Sequence, residues 1–254
     1  MKEFIFYDMP GRTEATKAWS PNTWNSRFPL NMKGLKYRTE WVEQPDIKAL
    51  YGQLGITTSD VTWDGVTPFY TVPIIHDPNT NKIVADAAII ADYLDKTYPD
   101  VGPQFFPENT RVLHAAYNTA FMEACHVPLF QICVLPTWNN LPLRSYELFK
   151  RTREVWLGKL EDIAPEGTEK GEAKWKDLEE GITKIAKWFE VPGGDKPFIG
   201  GDVPVFADVQ LAGRLHWARI VLGKDSKEWA RIKAMNGGRW EKYLHGWQQW
   251  AQVV

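Results

Sequence analysis

The chain has 254 residues, a formal net charge of −2 at pH 7 and an isoelectric point near 6.2. This length suffices for two globular domains. The near-neutral charge argues against nucleic acid and membrane surfaces as partners, because both attract strongly basic proteins. The amino-terminal apolar run lacks a signal-peptide cleavage site, and no run approaches the about 20 apolar residues of a membrane span. We therefore expect a soluble, cytoplasmic protein.

Strand and helix signals alternate in the first half of the chain. Short apolar runs bounded by turn residues predict strands, and longer periodic segments predict helices. In chain order, these are a strand over 3–7, a helix over 21–33, a strand over 37–42, a loop-like polar segment over 44–69, strands over 72–75 and 83–84, and a helix that starts at Asp86 and ends before Pro99. The order is a βαβ unit followed by a ββα unit.

Strand signals nearly vanish after residue 109. Apolar residues at helical spacing predict helices over 110–138, 145–163, 171–190, 206–223 and 226–235, the first of them kinked at Pro128. The five histidines show no metal-ligand spacing, so no metal site is predicted. The fold class is therefore α/β plus all-α, with one domain over 1–102, a proline-rich connection, and a helical-bundle domain over 108–254.

Several segments of this chain resemble glutathione transferases. WSPNTWNSRFPLNMKGL, TVPIIHD and DAAIIADYLDKTYP resemble their N-terminal thioredoxin-like domain, and GGDVPVFADVQLAG resembles the signature of their helical domain. SPNTWNSRFPLNMKGLKYRTEWVE and PDIKAL are most similar to the fungal class named FuA, which is related to bacterial β-aryl etherases. The resemblance implies a thioredoxin-like βαβ-ββα domain, glutathione as co-substrate and a homodimer.

Ser20 lies directly before Pro21, at the predicted helix start. On the pattern alone it is an N-cap, because proline favours the first helical position and serine the position before it. In the serine-type transferases that this segment resembles, the hydroxyl donates to the glutathione sulfur and favours the reactive thiolate. The resemblance thus implies that Ser20 is catalytic. Asn22 and Asn25 either add amide donors to the same sulfur or are exposed residues of the helix.

Two further segments are implied to bind glutathione. In the domains that this chain resembles, the proline at the position of Val72–Pro73 has a cis bond and exposes the preceding backbone to the cysteinyl part of glutathione. The alternative is an ordinary proline at a strand entry. Asp86–Ala87 begins a helix whose amide groups would bind the γ-glutamyl carboxylate. Relatives usually have serine after the acidic residue, so Ala87 lacks a hydroxyl donor.

The second substrate is expected to bind between the domains, beside the loop before Ser20 and the kinked helix. An aromatic-rich cleft there suits flat phenolic ligands. The predicted lining residues are Tyr7, Trp19, Tyr117, Phe121, Met122 and His126. The alternative for each is a place in the hydrophobic core.

Two functions follow from these patterns. The resemblance implies a serine-type glutathione transferase for detoxification, which activates the thiol for attack on small hydrophobic or aromatic electrophiles and has peroxidase or etherase-like side activity. The alternative is a ligandin with little or no catalysis, which binds polyphenols or other aromatic molecules in the interdomain cleft.

Overall fold

A computed structural model describes residues 1–62, 64–191 and 196–254. Its strands are β1 (Phe4–Asp8), β2 (Tyr37–Trp41), β3 (Ile74–Asp77) and β4 (Lys82–Ala85). Its longer helices are α1 (Pro21–Met32), α2 (Ile47–Leu54), α3 (Ala87–Thr97), α4 (Arg111–Phe121), α5 (Val127–Asn139), α6 (Leu143–Leu157), α7 (Glu169–Trp188), α8 (Phe206–Leu222), α9 (Lys227–Ala234) and α10 (Arg239–Gly246).

The four strands form one mixed sheet in the order β2-β1-β3-β4. Strands β1 and β2 are parallel, whereas β3 runs antiparallel to both β1 and β4. Ile75 packs in a buried cluster with residues of α1 and α3, and Ile74 packs in another cluster with residues of α2. Since neighbouring side chains of a strand point to opposite faces, helices cover both sides of the sheet. The predicted βαβ-ββα domain and helical second half are confirmed.

One helix lies where the sequence predicts only a loop. Helix α2 occupies part of the polar segment over 44–69, so that prediction is wrong. Ile47, Leu50 and Tyr51 are the buried residues of this helix. Their spacing places them on one helical face, but a single short apolar face is a weak signal within a polar segment.

A π-helical turn over Met122–His126 joins α4 to α5 in one long helix. Pro128 has no N–H with which to bond the Ala124 carbonyl four residues earlier, and Val127 N–H donates instead to Met122, five residues earlier. The Ala124 carbonyl faces Gly181 of α7, where a Cβ would lie only 1.6 Å from its oxygen. The predicted irregularity at Pro128 therefore takes the form of a π turn packed against a glycine.

By length and composition, the continuous helix Arg111–Asn139 is apolar enough to cross a membrane. Its Phe121, Cys125, Leu129 and Cys133 are at most 1% exposed and belong to the largest hydrophobic cluster. We therefore interpret the part of this helix from Phe121 onward as a core helix of the helical half. The domain limits 1–102 and 108–254 remain a prediction, and both limits fall between the end of α3 and the start of α4.

Candidate functional site

Ser20 occupies the N-cap position of α1, with Pro21 in the first turn. Its carbonyl accepts the Trp24 N–H and the Thr23 hydroxyl, each at 3.0 Å. Its own hydroxyl makes no capping hydrogen bond, so Ser20 caps the helix by position only. The side chain is 1% exposed. The role of Ser20 as donor to a sulfur remains a prediction.

The two asparagines of the first helical turns have different surroundings. Asn22 is exposed, and its side-chain oxygen accepts from Arg214 Nη2 at 3.0 Å, which leaves the amide N–H groups of Asn22 as donors. Asn25 is buried, and in its satisfied orientation its amide nitrogen donates to the carbonyls of Pro21 and Val209 at 3.2 Å each. The Asn25 amide thus bonds within α1 to Pro21 and across to Val209 of α8, and the second of these bonds holds the two helices together. Its predicted role toward sulfur remains a prediction that would require this amide to turn.

Arg214 of α8 is the functional candidate that sequence reasoning missed. Its side chain is 7% exposed, its Nε donates to His126 Nδ1 at 2.9 Å, and its Nη1 has no partner among the described residues. Burial lowers the pKa of Arg214 to about 10, so it stays cationic at neutral pH. A buried cation with an unpaired N–H group is costly unless an anion binds there.

Helices α1 and α8 approach each other closely at Gly213. A Cβ on this residue would lie 2.4 Å from the Asn25 side-chain amide and 3.1 Å from the Pro21 carbonyl oxygen. Glycine is therefore required at this contact. The close approach brings the neighbouring Arg214 within hydrogen-bond distance of Asn22.

The turn before β3 and the start of α3 adjoin each other. The Val72–Pro73 bond is cis, as predicted. The Asp86 N–H donates to the Pro73 carbonyl at 3.3 Å, and one Asp86 carboxylate oxygen accepts from Ala88 N–H at 2.9 Å and Ile89 N–H at 3.1 Å. Asp86 therefore caps α3. The Ala87 N–H lies in the first turn of α3 and has no acceptor among the described residues.

These elements enclose a cavity of about 640 Å³, which we call the cis-proline cavity. Its size is typical of small-molecule sites, which span about 300–1,000 Å³. The predicted residues that line it are Asn22, Asn25, Val72, Pro73, Asp86 and Ala87. Arg214 lines it as well, together with Asn118 and Gln210, whereas Ser20 is not among the described lining residues.

A second, larger cavity of about 1040 Å³ lies between the loop before β3 and helices α5 and α6; we call it the apolar cavity. Met122 and His126 are the two predicted substrate-site residues in its described lining. Its other aromatic lining residues include Tyr70, Phe130 and Trp156. Phe69 lines both cavities, so the two share a wall.

The remaining predicted substrate-site residues lie in hydrophobic clusters. Trp19 and Phe121 are buried core residues, Tyr117 stacks on Phe121 with 5.5 Å between ring centroids, and Tyr7 of β1 packs against a cluster that includes residues of α2. Burial raises the pKa of the Tyr117 hydroxyl well above its ordinary value. Their role in substrate binding remains a prediction.

His126 links the two cavities. It lines the apolar cavity, and its Nδ1 accepts from Arg214, which lines the cis-proline cavity. An accepting Nδ1 carries no proton, so the neutral ring has its proton on Nε2. Burial and the adjacent Arg214 charge lower the pKa of His126 to about 3. The ring is therefore a neutral hydrogen-bond donor at physiological pH.

Together these groups can bind an anion and place it beside an apolar ligand. The cis-proline cavity offers the Asn22 amide, the Arg214 guanidinium and the free Ala87 N–H as donors. The apolar cavity offers aromatic contact area beyond the shared wall. This combination suits a polar, negatively charged nucleophile and a hydrophobic second molecule.

The chain matches two family models. Residues 19–97 match the glutathione S-transferase N-terminal domain, and residues 112–250 match the glutathione S-transferase C-terminal domain. A comparison with curated proteins gave no match.

Three solved fungal structures are similar over nearly the whole chain. A glutathione S-transferase of Ceriporiopsis subvermispora in complex with glutathione is 44% identical, with a TM-score of 0.94 and coverage of 100% of this chain and 99% of that one. Glutathione transferase GSTFuA3 from Phanerochaete chrysosporium is 41% identical, with a TM-score of 0.93 and the same coverage. Another Ceriporiopsis subvermispora transferase in complex with glutathione is 35% identical, with a TM-score of 0.91 and coverage of 97% and 98%.

Proposed function

Because the chain belongs to the glutathione S-transferase family, we propose that it binds glutathione in the cis-proline cavity and transfers it to small hydrophobic or aromatic electrophiles in the apolar cavity. Glutathione is the co-substrate. The observation that carries this proposal is the convergence of Asn22, the Val72–Pro73 turn, the start of α3 and Arg214 on one cavity that shares Phe69 with an apolar one.

The chemistry of glutathione fits the cis-proline cavity. Its γ-glutamyl carboxylate suits the start of α3, where the Ala87 N–H is free and the helix dipole favours an anion. The ammonium suits the Asp86 carboxylate, because Asp86 uses one oxygen for the helix cap and keeps the other. The cysteinyl backbone suits the exposed edge at Val72, in the manner of an added strand.

We assign thiol activation to hydrogen-bond donors at the start of α1. A thiol has an ordinary pKa near 8.5, and donors or positive charge nearby favour the thiolate. Asn22 faces the cavity, with its oxygen held by Arg214 and its amide N–H groups available. Ser20 is buried at the same helix end. We therefore propose both residues as donors, with Asn22 the better placed.

Separate substitutions distinguish these two donors. Ser20→Ala removes one hydrogen bond to a charged group if Ser20 contacts the thiolate, a loss of about 1.5–3 kcal/mol or ten- to a hundredfold in rate. Asn22→Ala would have an effect of the same size by the same reasoning. The bound-thiol pKa, followed by thiolate absorbance, should rise in whichever variant loses rate. An unchanged pKa and rate in Ser20→Ala would leave Ser20 with a structural role only.

A ligandin function is the second candidate. The apolar cavity, at about 1040 Å³, is larger than the cis-proline cavity and lined by aromatic side chains. Ala87 also lacks the hydroxyl that relatives usually supply to glutathione. Both features favour sequestration of polyphenols or similar aromatic molecules over rapid turnover.

One experiment separates the two functions. Thiol consumption should be measured with a panel of isothiocyanates, peroxides and aryl ethers, beside displacement of a phenolic ligand. Turnover of any electrophile supports the transferase and would also define a detoxification, peroxidase or etherase-like role. Tight phenolic binding without turnover supports the ligandin.

We further propose a cytoplasmic homodimer that associates through α4 and the start of α3. Val112 and Leu113 of α4 are 80% and 67% exposed, and Ile89 of α3 is 57% exposed. Arg111 of α4 contacts Asp92 of α3, so these exposed apolar side chains belong to adjoining segments, and patches of this kind mark association surfaces. Leu113→Asp should shift the sedimentation coefficient to that of a monomer, and a monomeric unsubstituted protein would contradict the proposal.

A further inference from the structure

His126 lines the apolar cavity and carries a hydrogen-bond donor. Its Nδ1 is occupied by the Arg214 N–H at 2.9 Å, so the ring presents Nε2–H on its opposite edge. Among the described residues, the structure gives Nε2 no acceptor. His126 lies at the π turn beside Met122, and both residues line the apolar cavity.

We propose that His126 Nε2–H donates to an oxygen atom of the second substrate, at the point where negative charge develops on that oxygen during thiolate attack. This inference rests on the proposed transferase function and adds the class of electrophile to it. The preferred substrates are aromatic molecules whose reaction moves an electron pair onto oxygen, such as conjugated ketones, quinones and aryl ethers.

The electron balance separates this class from other electrophiles. With a conjugated ketone, the sulfur forms a bond to the β-carbon, the carbon–carbon π pair shifts, and the carbonyl oxygen becomes an enolate that takes a proton from water. With an aryl ether, a carbon–sulfur bond forms, the carbon–oxygen bond breaks, and the aryloxide leaves with its electron pair. With a benzyl halide, the pair leaves on the halide and no oxyanion forms.

Arg214 makes this donor both defined and strong. The guanidinium donates to Nδ1, which fixes the tautomer, and its positive charge behind the ring polarises the Nε2–H bond. Gly213 allows α8 to hold this cation against α1, and His126 lies in the π turn and lines the apolar cavity. A preorganised donor aimed at a developing oxyanion is among the larger catalytic effects known in enzymes. In this reaction Arg214 is a positioning residue, and His126 is the group that contacts substrate.

The test compares two electrophiles of similar shape, an aromatic enone and a benzyl chloride, both with glutathione. We expect His126→Phe to lower the ratio of kcat/KM for the enone to that for the chloride by about 100-fold, the usual loss for one oxyanion donor. His126→Gln keeps an N–H donor and should recover part of the ratio. His245→Phe, the same replacement at an exposed histidine outside the described lining of both cavities, should leave the ratio unchanged. An unchanged ratio in His126→Phe would overturn the inference.

A second measurement does not depend on activity. The nitrogen NMR shifts of His126 in the unsubstituted protein at neutral pH should show a protonated Nε2 and an unprotonated Nδ1, and Arg214→Met should remove this preference. A protonated Nδ1, or an imidazolium, would overturn the inference. Failure of the proposed function itself is distinguishable, because the unsubstituted protein would then turn over neither the enone nor the chloride.

Discussion

At the scale of single residues, the charge of Arg214 should add to the donors at the start of α1 in stabilising the glutathione thiolate. An opposite charge close to a thiolate lowers the thiol pKa by about 1–3. We expect Arg214→Met to raise the pKa of the bound thiol by about 1–2 and to lower the rate at neutral pH roughly tenfold. Absorbance of the thiolate against pH checks this directly.

The matched control for this prediction is Arg219→Met, on the same helix outside the described lining of both cavities. It should leave the pKa of the bound thiol unchanged. Because no carboxylate pairs with Arg214 among the described residues, its replacement by methionine leaves no opposite charge stranded. A large loss of folding stability with an unchanged thiol pKa would assign Arg214 to structure alone.

Ala87 provides the second prediction at this scale. A serine there would add a hydroxyl donor to a carboxylate at the start of α3. We expect Ala87→Ser to tighten glutathione by about 1–2 kcal/mol, the lower part of the usual range, because Asp86 and Ala88 beside it are exposed to solvent. Calorimetry with glutathione and with an analogue that lacks the γ-glutamyl carboxylate measures the difference. Equal tightening of both ligands would place the carboxylate elsewhere.

At the scale of secondary-structure elements, the π turn depends on Gly181. An alanine Cβ would lie 1.6 Å from the Ala124 carbonyl oxygen, and a backbone atom cannot turn away as a side chain can. Overpacking typically costs about 1–3 kcal/mol, and we expect Gly181→Ala to reach at least the upper end of that range. Urea unfolding gives the value.

Gly52 of α2 is the matched control, because a Cβ added there would have no neighbouring atom within 4 Å and the backbone is helical. Gly52→Ala should stabilise the protein by about 0.4–1 kcal/mol, because alanine reduces the conformational entropy of the unfolded chain. If both substitutions had the same effect, the close contact at Gly181 would not govern stability.

The elements differ in how far sequence alone could predict them. The sheet, α1 and α3 are predictable because apolar runs end at clear turn residues, and the cis bond at Pro73 follows from the resemblance. Helix α2 could not be predicted from the sequence because its apolar face is one short turn. The π turn could not be predicted because it requires Gly181 on another helix. The role of Arg214 is indicated in the sequence only by one charge within an apolar run. Its contacts depend on tertiary packing.

At the scale of the whole molecule, buried histidines couple stability to pH. Burial lowers the pKa of His126 and of His216 to about 3 each, and it also lowers that of His114. An unfolded histidine titrates near 6.5. Between these pH values the unfolded chain binds more protons than the folded chain, so the free energy of unfolding falls as pH falls below about 6.5.

Each histidine whose pKa is lowered in this way adds up to about 1.4 kcal/mol per pH unit to the slope of the unfolding free energy against pH. Urea unfolding between neutral and mildly acidic pH measures the total. His216→Phe removes one such group, whose ring lies 4.2 Å from that of Trp24, and should reduce the slope by about that amount. A slope that does not change would show that His216 is protonated in the folded protein.

The wall that the two cavities share at Phe69 makes their ligands thermodynamically interdependent. A molecule that displaces this half-buried ring from one side alters the free energy of occupying the other side. By linkage, the factor by which glutathione changes the affinity for an aromatic ligand must equal the factor by which that ligand changes the affinity for glutathione. Where glutathione strengthens the binding of an aromatic guest, its removal would weaken retention of that guest by the same factor.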